Sequence, residues 1–209
     1  MIGWVKNRGD YDVAVIKFDV TMPERVPLAI LFAETRGFTR TSEILEPSAV
    51  LARTTEFFAM VTAIVERHGG SVPSVFNDTL VATFAGPEQA QHAVRAAQEI
   101  QGDIGRLAEA WEREYNIRAA AALGLHSGEV VIGVTAAGQP LVIGDSVSVA
   151  ERLLHRARAG EYLLSQAIMD ELTAARFSLE AEELPPLKIP RREPLRLYGV
   201  LLDTRLDFT

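Results

Sequence analysis

The chain has 209 residues, 48% of them apolar and 23% charged, a composition that fits one substantial folded domain and excludes a disordered or fibrous chain. Its net charge of −7 excludes nonspecific attachment to nucleic acid or anionic lipid, which needs clustered Lys and Arg. With no cysteine present, disulfide staples and thiolate metal sites are excluded as well, and a reducing cytoplasm is the expected compartment.

Residues Met1 to Val26 read as an N-terminal extension. YDVAVIKFDV alternates partly like a strand, MPERVP interrupts it with two prolines, and MIGWVKNRGDYD lacks the apolar core of a signal peptide. No apolar run approaches the roughly 18–20 residues of a membrane span, so membrane insertion of this chain is not expected. Leu28 to Ala33 form a continuous apolar run, the pattern of a strand buried on both faces, and Glu34 ends it.

From Pro47, Val50, Leu51, Thr54, Phe57, Phe58, Val61, Ile64 and Val65 recur at helical spacing until Gly69-Gly70. SVPSVFNDTLVATF then reads as a hairpin turning at Asn77-Asp78. A second long helix opens at Gly86-Pro87-Glu88 and runs to Trp111, with Gly102 and Gly105 weakening its middle. IRAAAALGL and EVVIGVT read as two strands joined by a turn at His126-Ser127-Gly128. A short helix over Ser146 to Arg156, a strand EYLLS, a helix AIMDELTA and a strand LRLYGVLL follow, with LPPLKIPRREP as a loop between the late strands.

The order predicts an α+β fold with a ferredoxin-like β-α-β-β-α-β core: an antiparallel sheet, helices packed on one face, extended by the C-terminal strands and helices. The domain is expected over residues 27–203, with 204–209 as a tail.

In this topology the end of the first core strand lies beside the hairpin turn, which brings Glu34 to Asp78. Two carboxylates at one sheet edge attract a hard cation such as Mg²⁺, the usual bridge from protein oxygen to substrate phosphate. Gly37 and Phe38, between strand and helix, can offer backbone N–H groups to phosphate. Taken singly, Glu34 is also what a solvated strand end looks like, and Asp78 what a tight turn favours. His68 suits a helix C-terminus, and His126 a structural turn. Lys188, Arg191 and Arg192 are either a solvated loop or contacts to a triphosphate.

Several segments together resemble the class III adenylate/guanylate cyclase catalytic domain: LFAETRGFT its first metal-binding strand and phosphate loop, HGGSVPSVFNDTLVATF its hairpin, and ALGLHSGEVVIG with LVIGDSVSVAERL its later strand pair and catalytic helix. GEYLLS and PLRLYGV match its closing strands, so the resemblance runs from about Val26 to Val200. It implies a head-to-tail dimer, one protomer holding Mg²⁺ or Mn²⁺ and the other supplying base-reading and transition-state groups. The partner is an identical chain or another cyclase chain, and ATP is the nucleotide.

Carried over position by position, Asp78 matches the second metal aspartate, Arg152 the transition-state arginine and Asp145 the residue that reads the adenine amino group. Glu34 stands for the first metal aspartate with Thr35 beside it, Ser74 for the base-reading lysine, and Ser148 for the asparagine that positions ribose and triphosphate. Gly37, Phe38 and Thr39 match the phosphate loop. Asn77 replaces the usual glycine, and VTAAGQP is shorter than the family's dimer arm. The substitutions imply a degenerate cyclase domain, a dimerising regulatory or nucleotide-binding module with weak or no formation of cyclic AMP. The alternative is an active adenylate cyclase with a rearranged metal and base site. The related diguanylate cyclase palm shares the strand order, but its GG[DE]EF hairpin is absent.

Overall fold

The computed structural model describes residues 2–6, 12–16, 23–190 and 192–201. Two short strands, β1 (Ile2–Lys6) and β2 (Asp12–Ile16), form an antiparallel ribbon separate from the main sheet. The partial strand read over residues 11–20 is thus β2, and its remainder lies outside the described residues, as do 204–209, read as a tail.

The first core strand is longer than its apolar run. β3 spans Glu24–Arg36 and passes straight through Pro27, reaching back into the stretch read as an extension. Among the described residues only β6 pairs with β3 at Pro27, since the ladder to β5 begins at Ala29. A missing N–H is tolerated where the strand has one neighbour. The helix α1 (Phe38–Ile44) follows, then α2 (Pro47–Arg67), β4 (Ser71–Phe76), β5 (Thr79–Phe84) and α3 (Gln89–Tyr115). Pro47 opens α2 at its first turn, and Asn116 closes α3 in the left-handed region at φ 55°. Gly102 and Gly105 do not break α3; each faces open space.

β6 (Ala120–Val134) corrects the expected pair of strands: it is one strand, continuous through His126, Ser127 and Gly128. β3 accounts for this, because Ile30, Ala29 and Leu28 pair with those three residues in register. β7 (Pro140–Ile143), α4 (Asp145–Arg156), β8 (Glu161–Ser165), α5 (Gln166–Ala174), β9 (Glu182–Leu187) and β10 (Leu195–Leu201) complete the chain. β9 takes in Pro185 and Pro186, so the proline-rich segment is only partly a loop. The two prolines fit because β9 is the last strand in the sheet order β4-β5-β3-β6-β8-β10-β9. β7 pairs with the far end of β6, and among the described residues all strand pairs are antiparallel except β6–β8.

Alternation along β3 divides the core in two. Ala29, Leu31 and Ala33 face α2, α3 and α5 through Phe57, Val61, Ile64, Ile100, Ile168 and Leu172. Leu28, Ile30 and Phe32 face α4 through Val149, Ala150, Leu153 and Leu154. The two helices of the β-α-β-β-α-β core therefore share one face as expected, and α4, from the C-terminal extension, covers the other. Burying each large apolar side chain contributes about 1.5–3 kcal/mol. By length and mean hydropathy α2 also passes as a candidate membrane span, but Phe57, Val61, Ile64 and Val65 are buried in the core. Arg53 and Arg67 form ion pairs along it with Glu56, Glu114 and Glu99.

Candidate functional site

The β3–β5 register places Glu34 opposite Thr79, one residue from Asp78 in the hairpin turn, where Asn77 adopts φ 55°. The two carboxylates predicted to meet at this sheet edge do lie on adjoining positions. Glu34 is only 9% exposed, and a carboxylate that far from water needs a compensating cation. Arg36 is that cation. It lies two residues on, hence on the same face of the strand, and its Nη1 donates to Glu34 Oε1 in a tight ion pair. Its Nη2 donates to the carbonyls of Leu154 at 2.7 Å and Ala157 at 2.6 Å, at the C-terminal end of α4. Burial lowers the guanidinium pKa, opposed by the charges of Asp78 and Glu161, so Arg36 lies within electrostatic reach of both.

Asp78 is half-buried, and its Oδ1 accepts from Asn77 Nδ2 at 3.0 Å. Among the described residues no group of three or more His, Asp or Glu side chains is placed to hold a metal. The chemistry still fits a hard cation: both donors are carboxylate oxygens, and Mg²⁺ or Mn²⁺ keeps several waters and phosphate oxygens beside one or two carboxylates. Thr35 points to the other face of β3, where it lines a small cleft with Phe38, Arg53 and Trp111. Of the predicted metal group, Glu34 and Asp78 share a side; the Thr35 side chain does not.

Gly37 turns the chain out of β3 at φ +89°, a conformation side chains rarely adopt. α1 begins immediately after it, with Phe38 half-buried and Thr39 exposed in its first turn. The seven-residue helix was not anticipated, and it places the Phe38 and Thr39 amides where helix N–H groups lack intrahelical partners.

Asp145, Ser148 and Arg152 recur at helical spacing and are all exposed, while Val149, Leu153 and Leu154 of the same helix are buried. They form one outward face of α4. Among the described residues neither Ser148 nor Arg152 makes a side-chain hydrogen bond, whereas each Asp145 oxygen accepts one. Arg192 grips both its oxygens, Nη1 to Oδ2 at 2.7 Å and Nη2 to Oδ1 at 2.5 Å. That bond, with the charges of Arg192, His126 and Arg152, holds the Asp145 carboxyl below its ordinary range despite some desolvation. Arg192 is thus neither a bare loop cation nor free for a triphosphate; Arg191 lies outside the described residues. Ser74 is exposed on β4, paired with Val81. At about 1.5 Å of rise per residue, the first turn of α4 stands about 15 Å from the end that Arg36 holds.

His126 sits within β6 rather than in a turn. Its Nδ1 is 2.8 Å from the Oγ of fully buried Ser165, the N-cap of α5, which accepts from the Ile168 N–H at 3.5 Å. The His126 ring and the Ser165 hydroxyl share one hydrogen bond, whose donor depends on the His126 tautomer. Burial takes its pKa from 6.5 to about 4, against the charge of Asp145 and with that of Arg192. The unfolded chain takes up this proton near 6.5 and the folded chain only near about 4. Between those values the unfolded state binds more protons, so stability falls as pH falls. We expect the urea midpoint to drop steadily across that window. His68 and His92, also lowered by burial, contribute in the same direction, so His126→Gln removes part of the slope, and an unchanged slope refutes the assignment. His68, as expected, ends its helix; its Nε2 lies 2.7 Å from Glu99 Oε2.

Arg36 was present in LFAETRGFT but unread; its i, i+2 spacing to Glu34 on a strand was the available signal. The Asp145–Arg192 pair joins residues 47 apart in sequence, and no local pattern announces it.

A model of the adenylate and guanylate cyclase catalytic domain matches residues 20–200. Adenylate cyclase 1 of Rhizobium meliloti is 27% identical over 136 residues, 62% of this chain and 20% of that protein. The adenylate cyclase of Anabaena cylindrica is 26% identical over 182 residues, 83% of this chain and 36% of that protein. The chain thus spans well under half the length of these relatives. Among solved structures, the adenylyl cyclase CyaB from P. aeruginosa superposes with TM-score 0.79 at 21% identity, covering 88% of this chain and 98% of that one. An adenylate/guanylate cyclase/hydrolase from Silicibacter pomeroyi gives TM-score 0.71 at 27% identity, covering 87% of this chain and 100% of that one.

Proposed function

The chain belongs to the adenylate and guanylate cyclase catalytic-domain family, and from that premise we propose that it is a cyclase-type signalling domain that dimerises and binds nucleotide but converts little or no ATP to cyclic AMP. The observation that carries this reading is the guanidinium of Arg36 on Glu34. The residue in the first metal position is the longer acid, and it is already neutralised from within the chain. Mg²⁺ demands near-ideal octahedral geometry at about 2.0–2.1 Å, which a displaced carboxylate shared with an arginine serves poorly. Ser74 cannot extend a cation to a purine, and Ser148 lacks the second donor of an amide.

In this reading Glu34, Asp78 and the Thr35 backbone hold Mg²⁺ or Mn²⁺, and the Gly37, Phe38 and Thr39 segment receives phosphate. A divalent cation bound there polarises phosphoryl oxygens and offsets their charge. Asp145 and Ser74 face the base, Ser148 orients the ribose and triphosphate, and Arg152 stabilises charge at the transferring phosphate. For Asp145 to accept from an adenine amino group it must use the lone pairs that Arg192 leaves.

Head-to-tail association with a second copy, or with another cyclase chain that supplies what this one lacks, is supported by the apolar surface near the site. Val75 and Phe76, 52% and 81% exposed, stand next to the Asp78 turn, and Leu141 and Ile143 are exposed on β7. Among structural relatives, the guanylyl cyclase domain of the RhoGC fusion protein is a non-canonical dimer in one structure and a monomer in another, and the domain from Catenaria anguillulae is a complex with GTP. The residues before β3 then serve as an extension to the domain, and the cytoplasm, where nucleoside triphosphates are abundant, is the compartment.

The test is a single assay of purified protein against ATP and GTP with Mg²⁺ and with Mn²⁺, the oligomeric state being measured by light scattering in the same sample. We expect a dimer with little or no cyclic product. Turnover with Mg²⁺ in the ordinary enzyme range of about 1–10³ s⁻¹ overturns the reading. The second reading, an active cyclase with a rearranged site, is favoured by the unencumbered Ser148 and Arg152 on the outer face of α4. Its mechanism requires Asp78→Ala to abolish whatever activity is found.

A further inference from the structure

We propose that Arg36 is an exchangeable counter-ion for Glu34, and that it couples divalent-cation binding at the Glu34 and Asp78 carboxylates to the C-terminal turn of α4. The inference rests on the metal reading of those carboxylates and extends it to an exchange at Arg36 that reaches the C-terminal turn of α4.

Three observations carry it. Arg36 joins two structures at once, the Glu34 carboxylate through Nη1 and the Leu154 and Ala157 carbonyls through Nη2. The Glu34 side chain is only 12% exposed and that of Arg36 25%, so neither charge is left to water. Apart from Arg36, the turn is held by the burial of Leu153, Leu154 and Ala157 in the core and by the short-range bonds from Ala157 N–H to the Leu153 and Leu154 carbonyls, so Arg36 is the charged donor to its carbonyl end.

Arg36 sits on Glu34 Oε1, and a divalent cation drawn to the same carboxylate repels the guanidinium at that range and competes with it for the carboxylate charge. Cation binding therefore withdraws Glu34 from Arg36 and adds a like charge beside it. The guanidinium is pushed from its place, and the Leu154 and Ala157 carbonyls lose a charged donor at the helix end where cationic donors matter most. Arg152 lies in the turn just before these carbonyls, so the displacement reaches the outer face of α4. By the reciprocity of linkage, whatever restrains that turn weakens the metal, and whatever frees it strengthens the metal.

The test uses Mn²⁺ alone on the full chain, with binding read from the electron-paramagnetic signal of free Mn²⁺ and the turn read by amide hydrogen exchange over residues 153–161. In the wild type, saturating Mn²⁺ speeds exchange in that turn. Arg36→Met, of similar length and without charge, binds Mn²⁺ about tenfold more tightly, within the range usual for coupled sites, and its exchange in the turn no longer responds to the metal. Asp78→Asn weakens binding in both backgrounds, which ties the signal to this site.

Mn²⁺ binding in the wild type with no change in exchange over 153–161 overturns the coupling while leaving the metal reading intact, and this arm needs no variant to fold. Equal affinity in wild type and Arg36→Met also overturns it. An absence of Mn²⁺ binding in both proteins removes the metal reading and the coupling together.

Discussion

Replacing Glu34, Ser74 and Ser148 together, as Glu34→Asp, Ser74→Lys and Ser148→Asn, is expected to raise cyclic AMP formation by on the order of 10³-fold or more over the wild type, since a single missing positioning or charge-stabilising group costs about 10²–10³ in rate. The three gains do not add, because groups that act as a unit fail as a unit. The change at residue 34 has its own structural effect. A carboxylate one methylene shorter draws back from the Arg36 guanidinium and leaves both its oxygens toward the hairpin turn that carries Asp78. The measurement is product formation from ATP with Mg²⁺ by the purified triple variant beside the wild type. Silence in a folded, dimeric triple variant assigns the deficit to the alignment of the two protomers instead of to these side chains.

Gly124→Ala is expected to cost about 3 kcal/mol, the upper end for an overpacked core position, and so to lower Tm by roughly 6–12 °C in a chain of this size. A Cβ built at Gly124 meets Leu154 N at 2.2 Å, Ala150 O at 2.4 Å and Leu153 C at 2.9 Å. All three are backbone atoms of α4, which no rotamer change can move aside. The helix must retreat from β6, taking Leu153 and Leu154 out of a core where both are fully buried. Gly102→Ala is the control: a methyl there meets nothing within 4 Å, and in a helix interior the exchange gains up to about 1 kcal/mol. Opposite signs for the two substitutions in one thermal-unfolding experiment check the claim.

How far the chain can be read without coordinates depends on where each element finds its partners. α2, α3 and α4 announce themselves because their apolar stripes repeat every three or four residues over twelve or more positions. α1 has seven residues and no such stripe, with Thr41 alone buried. The His126-Ser127-Gly128 stretch looks like a turn because those residue types favour turns. It is strand because β3 supplies a partner for each residue from about a hundred positions earlier. The approach of Glu34 to Asp78 was legible, since it follows from strand order and a two-residue hairpin. The state of those groups was not: the guanidinium on Glu34 is anchored by carbonyls 118 and 121 residues away, and Asp145 is held by a loop cation whose position only the folded chain defines.

The two ends of the sheet meet their surroundings differently. At Pro185 and Pro186 the outermost strand, β9, has no N–H to offer, so a neighbouring molecule cannot lengthen the sheet by backbone pairing there. The other boundary, β4, carries a single proline, Pro73, and presents Val75 and Phe76 to solvent. Self-association is thereby directed. Strand addition is closed at the β9 end and open at the β4 end, so edge-to-edge pairing through β4 stops at two molecules, and concentrated solutions of the protein should yield discrete particles instead of extended fibrils.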